Sequence, residues 1–221
     1  MSVIKLYHFT LSQPSRSVRM LLKAGNIPFE DIVVNVMTGE HKKPEHLARN
    51  PMGLVPTMVE DDFVLSESGA ILSYLADSRK LAQWYPTEPQ SRAKVNYWLF
   101  WNQSATRLST TKILRPVFSG VKPDPADLEK FTEALAVMEK HLSMNQQLDE
   151  SLKFIADTSA PTIADLTLVT ELDQLDKELF DLYDYSPFPH VSRYMTDVRN
   201  NVSSYEEIFA PVKAVADAKR K

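Results

Sequence analysis

The chain has 221 residues, no cysteine, and a net charge of −4 from 25 Lys and Arg against 29 Asp and Glu. The missing cysteines exclude a disulfide scaffold, a thiolate metal site and dithiol exchange by the protein itself. The weak negative charge gives no general attraction to nucleic acid or to an anionic membrane. Hydrophobic residues make up 43%, enough for the core of one large domain or two small ones. No apolar run reaches membrane-spanning length, and the start MSVIKLYHF lacks the pattern of a signal peptide, so a cytoplasmic location is expected.

The first 80 residues alternate in type. Val3–Tyr7 reads as a strand. Pro14–Ala24 carries Val18, Leu21 and Leu22 at helical spacing, and Gly25-Asn26 stops it. Phe29–Val36 is rich in β-branched residues and reads as a second strand. Thr38–Arg49 is polar, with a short helix from Pro44. Thr57–Glu60 and Phe63–Ser66 flank Asp61-Asp62 as a hairpin, and Ser68–Ala76 is a helix. The order β-α-β-α-β-β-α is that of an α/β layer.

Residues 81–90 contain Pro86 and Pro89 and read as a linker between domain 1–80 and domain 91–221. Strand signals then fade. Ser91–Leu114 reads as one long helix. Asp127–Leu148 repeats Leu128, Phe131, Leu135, Met138 and Leu142 at steps of three and four, with Asp124 as N-cap and Pro125 at the first position. Further helices are expected at Thr162–Leu175, Val191–Val202 and Tyr205–Ala218, and the basic end Lys219-Arg220-Lys221 reads as a solvated tail.

The chemistry sits in a few short stretches. Ser12-Gln13-Pro14-Ser15 falls at a strand-to-helix turn, where a thioredoxin-like domain would carry Cys-x-x-Cys. Ser12 is there either a helix cap or a hydrogen-bond donor to a thiolate that comes from outside, and Ser15 and Tyr7 are competing hydroxyls. Glu67-Ser68 opens a helix: the hydroxyl and the free N–H groups suit a carboxylate, the acid an ammonium. The five histidines lack metal-ligand spacing, and no Gly-rich phosphate loop is present.

Four motifs in order carry a resemblance over essentially the whole chain. These are Leu6-Tyr7 with Ser12-Gln13-Pro14-Ser15-Arg16-Ser17-Val18; Asn50-Pro51 with Val55-Pro56; Leu65-Ser66-Glu67-Ser68 with Ala70-Ile71; and Thr162-Ile163-Ala164-Asp165. Together they resemble the soluble glutathione transferases of the serine type, theta-like with delta close behind. Theta members carry a longer C-terminal extension over the active site, whereas this sequence stops at Lys221.

The resemblance implies a thioredoxin-like N-terminal domain, an all-α C-terminal domain, and glutathione as co-substrate with no metal. Ser12 is the implied catalytic residue. Val55 and Pro56 form a cis-proline loop whose backbone pairs with the cysteinyl part, Glu67 and Ser68 take the γ-glutamyl end, His41 and Lys42 the glycyl carboxylate, and Gln13 assists. Phe9, Leu11, Arg107, Leu108, Thr111 and Leu114 line the electrophile pocket, with Arg107 a cation near the thiolate. Thr162 and Asp165 form a structural capping box. Partners are glutathione, a small hydrophobic electrophile and a second copy of the chain in a homodimer; Trp98 and Trp101 read as core or dimer contacts.

The energetics of such a site are adequate. Lowering a thiol pKa of about 8.5 by roughly two units takes ~2.7 kcal/mol. A hydrogen bond to a charged group supplies about 1.5–3 kcal/mol and a helix terminus about 0.3–1 more. Ser12 therefore acts as a donor, not as a base. The function expected is conjugation of glutathione to small electrophiles, with a peroxidase side activity. The alternatives are a glutathione-dependent disulfide reductase and a non-catalytic glutathione-transferase-like binding module.

Overall fold

The computed structural model describes residues 3–220. Lys221 of the expected basic tail lies outside them. In β1 (Ile4–His8), buried Ile4, Leu6 and His8 alternate with Lys5 and Tyr7, the period of two that gives a strand one core face. β2 (Phe29–Val33) runs parallel to β1, with Ile4 opposite Phe29 and His8 opposite Val33. β3 (Thr57–Glu60) pairs antiparallel on the other side of β1, and β4 (Phe63–Ser66) completes the hairpin, so the order is β2-β1-β3-β4. β2 ends three residues earlier than its β-branched run predicts.

Helices α1 (Gln13–Ala24), α2 (Pro44–Leu47) and α3 (Ser68–Ser78) complete this half, with a 3₁₀ turn at Glu40–Lys42 before α2. The other half is helical: α4 (Pro89–Ser104), α5 (Thr106–Phe118), α6 (Pro125–Leu148), α7 (Ile163–Leu172), α8 (Pro189–Asn201) and α9 (Tyr205–Arg220). Every residue of α7 is buried, and α1 packs directly on it. One core therefore runs from Leu6 and Leu21 through Trp98 and Phe131 to Leu168 and Val198.

One helix expectation is corrected. The stretch read as one helix over Ser91–Leu114 is two, broken at Ala105 (φ −109°, ψ −86°). No Gly or Pro marks the break. Instead the Ser104 hydroxyl donates to the Trp101 carbonyl at 3.2 Å and the Ser109 hydroxyl to that of Ala105 at 3.1 Å. Hydroxyls that compete for backbone acceptors loosen a helix. α5 then continues through Pro116 to Phe118.

The stretch read as a linker, residues 81–90, is packed against the helical half. Trp84 and Tyr85 are buried, and the Trp84 carbonyl accepts the Ile163 N–H at the start of α7 at 2.9 Å. Lys219 is exposed, and its ammonium sits 4.8 Å from the centre of the Phe118 ring.

Candidate active site

The β1–α1 turn places Ser12. Its N–H donates to the Phe9 carbonyl at 3.0 Å, closing the turn, and Phe9 N–H in turn donates to the Ser15 hydroxyl at 3.4 Å. Ser12 is the N-cap of α1, its oxygen accepting the Ser15 N–H at 3.4 Å. Cap and thiolate donor are thus compatible roles. The cap uses a lone pair, and the hydroxyl hydrogen remains available. The first turn of α1 offers less than the sequence suggests: Ser15 N–H is used by the cap and Pro14 has none, which leaves the Gln13 N–H.

A fully buried arginine holds this turn in place. Arg16 donates to the carbonyls of Leu11 at 2.8 Å and Thr10 at 3.4 Å, then across to α7 at Thr170 O (3.1 Å) and Gln174 Oε1 (2.6 Å). Burial pulls its pKa down to about 10, against the opposing pull of Glu171 and Asp173, so it stays charged at neutral pH.

Two cavities adjoin at this point. A polar one of about 200 Å³ lies among Val55, Pro56, Ser66, Glu67, Ser68, Asn102 and Glu171. A more apolar one of about 250 Å³ lies among Phe9, Leu11, Ser12, Gln13, Thr111, Leu114 and Phe118. Leu54, Val55 and Arg107 line both.

The Val55–Pro56 bond is cis, and neither the N–H nor the C=O of Val55 bonds to any described residue. Glu67 sits in an unusual backbone region for a non-glycine residue (φ 69°, ψ 112°) just ahead of α3. The first intrahelical bond there is from Ile71 N–H to Glu67 C=O, so the N–H groups of Ser68, Gly69 and Ala70 remain free beside the Ser68 hydroxyl.

His41 and Lys42 part company. His41 lines the apolar cavity, and burial, reinforced by the charges of Lys42 and His46, holds its pKa below the ordinary range. Lys42 lines neither cavity. Its ammonium donates to the Met52 carbonyl at 3.1 Å, packed against Gly53, where a Cβ would come within 2.8 Å of it. Gly53 also has φ +60°, and a Cβ would come within 2.9 Å of the fixed His41 carbonyl oxygen, so glycine is required there on two counts.

Of the expected pocket residues, Phe9, Leu11, Arg107, Thr111 and Leu114 do line the apolar cavity. Leu108 does not. It is 54% exposed, one position off the α5 face that carries residues 107, 111, 114, 115 and 118. Arg107 is not a free cation. It donates to Gln13 Oε1 at 2.9 Å and to the buried Glu171 at 3.2 Å, and Glu171 is held in turn by the Thr110 hydroxyl at 2.5 Å. With its oxygen so engaged, Gln13 keeps its amide N–H groups for a ligand.

Tyr7 faces away from Ser12. It lies under Arg49, 4.4 Å from ring centre to guanidinium, and edge-on to His46. The capping box at α7 is present: Asp165 accepts the Thr162 N–H at 2.7 Å and its hydroxyl at 2.8 Å, and also the Ile155 N–H at 2.9 Å.

Residues 2–77 match the N-terminal domain of glutathione S-transferases and residues 110–201 the C-terminal domain. Mouse glutathione S-transferase theta-1 is 38% identical over 181 residues, covering 77% of this chain and 72% of that protein. The chain belongs to the glutathione transferase family. Glutathione S-transferase D7 of Drosophila melanogaster is 29% identical over 207 residues, covering 92% of this chain and 88% of its own. A solved Bombyx mori glutathione transferase superposes with a TM-score of 0.88 at 29% identity, covering 99% of this chain and 98% of that one.

Several lining residues of this glutathione transferase escape a reading of the sequence. Arg115 and Phe118 continue the Arg107–Thr111–Leu114 face at helical spacing, and only the early stop before Pro116 hides them. Glu171 and Gln174 carry no local signal, because their partners lie far away in the chain, and Asn102 reaches the polar cavity only through the packing of α4.

Proposed function

We propose that this glutathione transferase binds glutathione across the polar cavity and stabilises its thiolate with the Ser12 hydroxyl. The observation that carries this reading is the meeting of two cavities at Val55 and Arg107, with Ser12 on the apolar side. The unpaired backbone of Val55 is suited to the cysteinyl peptide groups. Glu67 and Ser68, with the open start of α3, suit the ammonium and carboxylate of the γ-glutamyl end. His41, which lines the apolar cavity beside Val55, is left for the glycyl carboxylate, and Lys42 would reach it only by giving up the Met52 carbonyl. The sulfur then points over Ser12 toward the apolar cavity, where an electrophile held on Phe9, Leu11, Thr111 and Leu114 receives it. Holding both reactants in contact supplies much of the rate, and the donor hydrogen bond supplies the thiolate.

A homodimer in the cytoplasm completes the reading. Tyr97 and Phe100 are 56% and 75% exposed on α4, beside a groove of about 440 Å³ that Phe100 shares with Gly69 and Tyr85. A second copy would cover that face. Among the described residues, no helix is long and apolar enough to cross a membrane.

The test is a panel of electrophiles offered with glutathione, read beside retention on a glutathione column. Turnover of aryl halides supports the reading. Turnover of disulfides alone supports a reductase, and retention without any turnover a binding module.

A further inference from the structure

The apolar cavity reverses the charge balance of the chain. The protein carries −4 overall, yet no Asp or Glu lines this cavity; its ionisable side chains are Arg107, Arg115 and His41. Arg107 is neutralised from below by Glu171. His41 is held toward its neutral form. Arg115 has neither offset. Lys112, three residues back on α5, pairs with Asp127, whereas Arg115 meets no carboxylate and no hydrogen-bond acceptor among the described residues. It stands beside Leu114 and Phe118, and the Lys219 ammonium lies 4.8 Å from the centre of the Phe118 ring. An apolar floor with an uncompensated guanidinium at its edge is complementary to an apolar molecule with an anionic group.

We propose that the second substrate is an aromatic electrophile carrying a carboxylate or sulfonate, and that Arg115 binds that group. The proposal rests on the transferase reading above. Arg115 also lies in the last turn of α5, where a cation favours the helix end. That role is indifferent to substrate charge, so charge dependence separates the two.

The experiment compares 4-chloro-3,5-dinitrobenzoate with its methyl ester at saturating glutathione. In both, the thiolate sulfur forms a bond to the ring carbon, chloride leaves with its electron pair, and the thiol proton goes to solvent. The readout is the KM of the ester divided by that of the carboxylate. In Arg115→Gln this ratio falls about fivefold, as expected for one exposed charge contact, and Arg115→Lys restores most of it. Added salt erodes the preference in the wild type but not in Arg115→Gln. An unchanged ratio in Arg115→Gln overturns the proposal, as does an equal loss with both substrates. No turnover of either compound by the wild type contradicts the transferase reading instead. Calorimetric titration of 3,5-dinitrobenzoate and its methyl ester then still decides on Arg115, by the same shift in affinity ratio or its absence.

Discussion

The His46 imidazole lies 2.9 Å from the Leu54 carbonyl oxygen, and because a carbonyl only accepts, Nε2 carries the proton. The same oxygen receives Asn50 Nδ2 at 3.1 Å and the Thr57 hydroxyl at 3.3 Å. A trans peptide sets its N–H opposite its C=O. Three donors on the Leu54 oxygen therefore fix the direction in which Val55 N–H points, away from them and toward the cavities. Asn50→Ala removes one of these donors together with the bond to Thr57. The expected result is a rise in the glutathione KM that exceeds any fall in kcat, with about 1–3 kcal/mol lost from stability. Steady-state kinetics with varied glutathione check it.

Arg16 carries the largest single structural burden near the site. Arg16→Met would leave the Leu11 and Thr170 carbonyls and the Gln174 amide without their donor in a dry interior. Removing one member of such a buried network costs roughly 3 kcal/mol or more. Arg16→Lys should recover little, since a point ammonium cannot span the positions that the planar fork reaches. Urea denaturation of both variants measures this, and a Lys variant as stable as wild type would contradict it.

Asp165→Ala should destabilise by more than a cap alone. The cap is about 1 kcal/mol, and the buried Ile155 N–H left unpaired adds about 1–3 kcal/mol. Thermal denaturation reads the loss; glutathione affinity of the folded fraction should hardly change.

Asp31 provides a pH handle. Burial works to raise its pKa, but His8 and the three bonds from Arg19 outweigh it and hold the carboxyl at about 2, below its ordinary 3.8. The folded pKa is the lower one, so the unfolded chain binds the proton more readily. The stabilisation is therefore present above about pH 4 and is lost as pH falls toward 2. Asp31→Asn should flatten the melting temperature against pH in that window. An unaltered slope would contradict the ion pair's role.

What the sequence disclosed and what it hid divide by range. Ser12, the Val55–Pro56 step, Glu67-Ser68 and the α7 capping box are short contiguous motifs at element boundaries, visible in the sequence through local residue types and the family resemblance. Arg16, Gln13, Arg107 and Glu171 take side-chain partners between 61 and 158 residues away. Such pairings leave no trace in periodicity. Leu108 shows the limit on a single helix, since the break at Ala105 resets the face and shifts the lining set by one residue.

The central claim is that the Ser12 hydroxyl stabilises the thiolate of bound glutathione. The direct measurement is ultraviolet titration of that thiolate in the binary complex. Losing about 2–3 kcal/mol of charged hydrogen bonding in Ser12→Ala should raise the thiol pKa by roughly 1.5–2 units, with a rate loss of one to two decades at neutral pH, on the order of that free energy. The cap that Ser12 gives up is a 3.4 Å contact, so stability should change little. Tyr7→Phe should leave the titration in place, because that ring packs against Arg49 on another face. A titration that shifts in Tyr7→Phe and stays put in Ser12→Ala would contradict the assignment.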